Sequence, residues 1–175
     1  MLALDNIGGV PAHPLLVHIP VVLIPVALIL GIAACWSRIR KPMIVAAACA
    51  AAIGGIGVLL AAGSGESLES GVRSQVDKAL LRDHTEKGDA AQAPAVIFGV
   101  IAVGAAAEEL WRRRRNGESK FPKWVPAVLL GATVVSGVVA TTFVYEAGHT
   151  GAKSVWHGVK ASGEGAGKAN QGGDD

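Results

Sequence analysis

Three uninterrupted apolar stretches govern what this chain can fold into: Leu15 to Trp36, Met43 to Ala62 and Val125 to Tyr145, none holding an Asp, Glu, Lys or Arg. Crossing the hydrocarbon core of a bilayer takes about 20 helical residues. Unpaired backbone groups are costly in lipid, so such stretches are expected to be helices. A fourth stretch, Ala93 to Ala107, is shorter and rich in Ala and Gly. It reaches span length when Ala90 to Gln92 and Glu108 to Trp111 are added. Only 17% of the 175 residues are charged and 51% are hydrophobic, against about 25% charged in ordinary soluble domains. That balance excludes a water-soluble globule and a disordered chain. The expected fold is all-α: an integral membrane four-helix up-and-down bundle over residues 1–160, with spans near 15–36, 43–62, 90–111 and 125–145.

An even number of spans puts both termini on one side, and the basic residues choose the side. Arg38, Arg40 and Lys41 fill one short loop, and Arg112 to Arg115, Lys120 and Lys123 the other, with Glu108, Glu109 and Glu118 as the acids there. The remaining polar segments are net acidic. The positive-inside rule therefore places both short loops in the cytoplasm, and both termini and the loop 63–89 outside. The expectation is a multi-pass protein of the inner (plasma) membrane. Trp36, Trp111 and Trp124 suit an inner aromatic belt, Tyr145 and Trp156 an outer one. The run of four arginines reads as a topology determinant, with anionic headgroups as a secondary contact. No Lys or Arg precedes the first span and Asp5 does, which is unlike a cleavable signal peptide. A net charge of +2 gives no reason to expect nucleic acid as a partner. Cys35 and Cys49 form no CxxC pattern and are expected to stay reduced.

In the outer loop, Leu68, Val72, Val76, Leu80 and Leu81 recur at close to helical spacing, which predicts an amphipathic helix on the outer surface. The tail 161–175, rich in Gly, Ser, Asn and Asp, reads as disordered. Small residues crowd the second span (Gly54, Gly55, Gly57, Ala61, then Gly65) and the fourth (Gly131, Ser136, Gly137, Ala140, Thr141). Such faces let membrane helices approach closely. The two hairpins also share a loose order of His, Pro, apolar run, Trp, basic cluster and Pro, a hint of duplication.

The five histidines, His13, His18, His84, His149 and His157, all fall at the starts of helices one and three or after the end of helix four. In an up-and-down bundle these share the outer face. At about 1.5 Å of rise per residue, His18 lies just inside the hydrocarbon, His149 about 7 Å beyond its edge and His84 about 10 Å beyond it. Imidazole suits Fe, Cu and Zn, and histidine is a common haem ligand. Two histidines on facing helices could clamp haem b; His18 and His149 are the first choice by depth, His84 and His157 a second pair, with His13 beside the site. Gly88, Gly148 and Gly151 would give a flat ring room.

Alternatively, Glu146 and His149 form one Glu-x-x-His pair of the kind found in di-metal bundles. Glu66 and the histidines would then hold copper or zinc directly, with Asp83 and Asp89 as oxygen donors or orienting groups. The plainest alternative is that histidines simply suit a polar membrane boundary and the chain is a structural or accessory subunit of a larger membrane complex. His18, within an apolar span, is less easily explained that way. No Ser/His/Asp triad is present, and the glycines of GIGG and GSGE lack the Lys of a phosphate-binding loop. Electron transfer or an accessory role is therefore expected rather than a stand-alone enzyme.

The run His13-Pro14-Leu15-Leu16-Val17-His18-Ile19-Pro20 resembles the opening signature of a bacterial membrane-protein family known as domain of unknown function 2231. His84 resembles its mid-chain histidine. Gly148-His149-Thr150-Gly151 through Val155-Trp156-His157-Gly158-Val159 resembles its closing signature, although there one residue usually separates the aromatic from His-Gly, whereas Trp156 and His157 are adjacent. The resemblance covers roughly residues 11 to 160. Similar members are sometimes joined to Rieske or c-type cytochrome modules. The resemblance thus implies electron transfer with a redox cofactor at the histidine face; a quinol pool or a respiratory membrane complex is the expected partner. This chain has no CxxCH motif, which excludes c-type haem.

Overall fold

A computed structural model describes residues 6–72, 76–115 and 121–156. Four helical segments are long and apolar enough to cross a membrane: Ala12–Ala33, Arg40–Glu69, Lys78–Arg114 and Val125–Trp156. A two-residue hairpin precedes them, β1 (Asn6–Ile7) pairing antiparallel with β2 (Val10–Pro11). Gly8 and Gly9 make its turn at φ of 61° and 84°, the left-handed geometry that two-residue hairpins require and glycine supplies. The first span comprises α1 (Ala12–Leu16) and α2 (His18–Ala33), parted at Val17. Pro20 lacks the N–H that would return to the Leu16 carbonyl, which loosens the helix at that point.

The other spans are single helices: α3 (Arg40–Val72), α4 (Lys78–Arg114) and α5 (Val125–Trp156). With 37 residues, α4 is about 55 Å long, far beyond the ~30 Å hydrocarbon core. Among its described residues the polar loop 63–89 is largely helical, as its apolar spacing predicts, and these helical residues belong to α3 and α4 rather than to a separate surface helix. Its two halves are the ends of α3 and α4, which project past the apolar zone. Asp77 starts α4 by accepting from the backbone N–H of Ala79 at 2.7 Å and of Leu80, an ordinary N-cap.

The helices pack in a ring, α2 on α3, α3 on α4, α4 on α5, and α5 back on α2. Ile29, Val100 and Val135 are among the large apolar side chains on the outer surface, the face a bilayer would cover. Inside, alanine and glycine let backbones meet. A Cβ on Gly55 would stand 3.3 Å from the Ala95 carbonyl oxygen, and one on Gly99 3.3 Å from that of Ala51. The interface between α3 and α4 is therefore a backbone contact in both directions, close packing of the kind small residues permit.

Part of the buried interior recurs between the two halves of the chain. Pro20, Ile24, Ala27, Gly31 and Ala34 are buried in the first span, and at one constant offset so are Ala91, Ala95, Phe98, Ala102 and Ala105 in α4. A second constant offset carries buried Ile44, Ala47, Ala51, Gly54, Val58 and Ser64 of α3 onto buried Leu130, Thr133, Gly137, Ala140, Val144 and Thr150 of α5. In the ring, a half-turn about the bundle axis exchanges the two hairpins. Equivalent helices then lie diagonally opposite each other.

Candidate paired-histidine site

This half-turn brings two histidines together at one end of the bundle. His13, on α1, donates its Nδ1–H to the Ala61 carbonyl at 2.8 Å, with Ser64 Oγ 3.4 Å from the same nitrogen. His84, on α4, donates its Nδ1–H to the Ala147 carbonyl at 3.0 Å, with Thr150 Oγ1 3.4 Å away. The carbonyls can only accept, so both Nδ1 atoms carry the proton. In its neutral form each ring therefore keeps an unprotonated Nε2.

The two sockets have one construction. In each, a carbonyl-bearing Ala is followed three residues later by Ser or Thr and four residues later by Gly. The hydroxyl donates back to that carbonyl, Ser64 to Ala61 at 2.9 Å and Thr150 to Ala147 at 3.0 Å. The glycine clears the space the ring occupies. A Cβ on Gly65 would lie 3.1 Å from both His13 Cε1 and Nδ1, and one on Gly151 2.9 Å from His84 Cε1. The two rings meet edge to face, centroids 6.0 Å apart and planes at 72°. Both residues are half-buried.

His18 and His149 sit elsewhere. His18 is exposed and donates from Nδ1 to the Pro14 carbonyl of its own span at 2.6 Å. His149 is exposed and stacks on Tyr145, centroids 5.8 Å apart. His157 lies outside the described residues, as does the tail 161–175. Glu146 is held by Lys87 at 2.7 Å, and Glu66, Asp83 and Asp89 are exposed. Among the described residues no group of three or more His, Cys, Asp or Glu gathers to hold a metal ion. Among the described residues, the histidine end therefore brings two imidazoles, His13 and His84, together. Cys35 and Cys49 are free thiols.

The opposite end carries a feature that charge counting alone hides. Glu108 and Glu109 are buried within α4. Glu109 accepts from both Arg112 and Arg113, whose side chains are 28% and 46% exposed, so one buried carboxylate is shared by two cations of the four-arginine run. Arg40 donates to the Ala34 carbonyl at 3.2 Å, and Arg115 lies over the Trp111 ring. Trp36 and Trp124 are 73% and 62% exposed at this end, the placement of an interfacial aromatic belt.

A family model described as "Predicted membrane protein (DUF2231)" matches residues 9–163. The match spans all four helices and both sockets. No curated protein and no solved structure gives a significant match.

Proposed function

The chain belongs to the DUF2231 family of membrane proteins, and on that premise we propose that it binds one redox metal centre, haem b, at the His13–His84 pair and takes part in electron transfer. The observation that carries this reading is the pair of matched sockets. Each fixes one imidazole as the Nδ1–H tautomer by a carbonyl acceptor, the arrangement by which orienting groups ready the other nitrogen for a metal. End-on ligation of one metal by two imidazoles, with metal–nitrogen bonds of about 2 Å, needs ring centres about 6 Å apart; the centres lie 6.0 Å apart, and from their edge-to-face arrangement one ring would turn to present its Nε2.

The number of donors bears on which metal. Structural zinc takes four protein ligands and catalytic zinc three, whereas the described residues supply two imidazoles and no nearby third donor. Haem brings its own four equatorial nitrogens and asks the protein only for axial ligands. His13 and His84 would hold the iron, and the bound group would supply one-electron chemistry. Copper held by the two imidazoles alone is a second reading, favoured by the same count of two donors and by the affinity of imidazole for copper. The excess of Lys and Arg at the other end favours a cytoplasmic location for it. The pair then faces the extracytoplasmic side, near a quinol pool or an outer electron carrier.

The test is an absorption spectrum and metal assay of detergent-purified protein. The expected result is reduced-minus-oxidised b-type haem bands near one haem per chain, lost in both His13→Ala and His84→Ala. Copper without such bands would move the assignment to the second reading. A colourless, metal-free protein from haem- and copper-replete cells would overturn both.

A further inference from the structure

Because the two sockets are built alike, the places where they differ show what the second one adds. One turn from His13 lies Leu16, and next to Ala61 lies Leu60. Both belong to an apolar cluster in which Ala12, Leu16 and Ala61 are under 10% exposed and Val17, Ile19 and Leu60 pack around them. The equivalent positions beside the second socket are Lys87 and Glu146. They form an ion pair at 2.7 Å with side chains 41% and 42% exposed. Val17 is matched by Gly88 and Ala62 by Gly148, and a Cβ at either glycine would meet nothing within 4 Å. By contrast, a Cβ on Gly57 in the first half would run into Ile19 at 2.6 Å. At these positions the seam between α1 and α3 is lined with hydrocarbon, while the matching positions between α4 and α5 carry a half-exposed ion pair and two bare glycines.

We propose that the Lys87–Glu146 pair is a water gate: water and protons reach the histidine pair along the α4–α5 seam, through the His84 socket, and not along the α1–α3 seam. Charged side chains at a membrane edge keep water about them, whereas a packed apolar seam leaves no site where water could find polar partners. Thr150, buried on α5 beside these positions, shares its hydroxyl proton between the backbone carbonyls of Glu146 at 3.1 Å and of Ala147, which holds His84, at 3.0 Å. Asp83, exposed on α4, adds a further polar group on the same side. Proton exchange at the metal-binding pair is therefore one-sided, with His84 the exchanging member and His13 the sheltered one.

The gate matters for function only if the pair is the functional site. Its test needs no metal, so the two ideas fail separately. In metal-free protein labelled with 15N-histidine, exchange of the Nδ1–H protons with water is measured by NMR. His84 is expected to exchange at least about tenfold faster than His13, the ratio set by about 1.4 kcal/mol in opening free energy. Lys87→Leu combined with Glu146→Leu installs the residue types of the sealed seam and should slow His84 to the rate of His13. If that variant fails to fold, Gly88→Val, which installs the sister residue Val17, should slow it likewise. A ratio below tenfold in the native protein, or an unchanged His84 rate in the variant that folds, would overturn the gate.

Discussion

Adding a single methyl group at Gly151 tests whether the histidine socket is a fitted structure. An alanine Cβ there would stand 2.9 Å from His84 Cε1, 3.2 Å from Nδ1 and 3.4 Å from Nε2. The imidazole has two outcomes. It stays and strains the α4–α5 contact, an overpacking that costs about 1–3 kcal/mol. Otherwise it swings away and forfeits the bond to the Ala147 carbonyl, a net loss of about 1 kcal/mol. Replacing glycine by alanine in a helix also stabilises by about 0.8–1.0 kcal/mol, which would blur the result if Gly151→Ala were compared with the native chain. Gly148 removes that ambiguity. It lies in the same helix, and a Cβ there meets nothing within 4 Å.

The propensity gain is common to both variants and cancels between them. Gly151→Ala should therefore be less stable than Gly148→Ala by about 1–3 kcal/mol. The first socket offers the same experiment, with Gly65→Ala against Gly63→Ala as its open neighbour. Its contacts are looser, 3.1 Å rather than 2.9 Å, so the difference should have the same sign and be smaller. Denaturant unfolding in mixed micelles, followed by far-UV circular dichroism, gives the free energies. Equal stability of Gly151→Ala and Gly148→Ala, within about 0.5 kcal/mol, would show that the His84 ring is not lodged against α5, and the socket argument would fall.

Further outcomes follow from the same geometry. His18→Ala and His149→Ala should keep the cofactor spectrum and metal content unchanged, since both rings are exposed with partners in their own spans; loss of the cofactor in either would move the site outward. Gly99→Leu, which drives a large side chain at the Ala51 carbonyl, should separate α3 from α4 and abolish the folded species in a monodispersity assay, whereas Gly104→Leu, with open space around it, should not. Lys87→Leu with Glu146→Leu should leave the denaturant midpoint essentially unchanged, because a half-exposed ion pair contributes little; a clear loss of stability would refute that. In intact cells an impermeant maleimide should spare Cys35 at the arginine end and label a cysteine placed at Glu69; the reverse pattern would refute the orientation drawn from the basic loops.

The apolar stretches and the basic loops were legible because each depends on a local property, the solvation of a side chain in lipid or its charge near the membrane. The continuation of α3 and α4 beyond the apolar zone was only half legible. Leu68, Leu80 and Leu81 announce helix, but whether that helix lies on a surface or prolongs a span is decided by what packs against it. Ser64 and Thr150 supply that packing deep in the bundle end, where each closes a histidine socket.

The histidine pairing was hidden for a similar reason. Depth along a helix is readable from residue number, and it favours His18 and His149; rotation about the helix axis is not, and it turns those two rings outward. One signal in the sequence does fix the rotation. Ala61-x-x-Ser64-Gly65 and Ala147-x-x-Thr150-Gly151 share one spacing, and the offset between them also superposes the buried faces of α3 and α5. His13 and His84 share the other offset, the one that superposes α2 on α4. A duplicated hairpin must place one histidine per half on opposite sides of a common axis. Only histidines that map onto each other under the duplication can then form such a pair. His18 maps onto Asp89 and His149 onto Gly63, so neither has a histidine counterpart. The repeat thus selects His13 and His84 from the described histidines before any distance is measured.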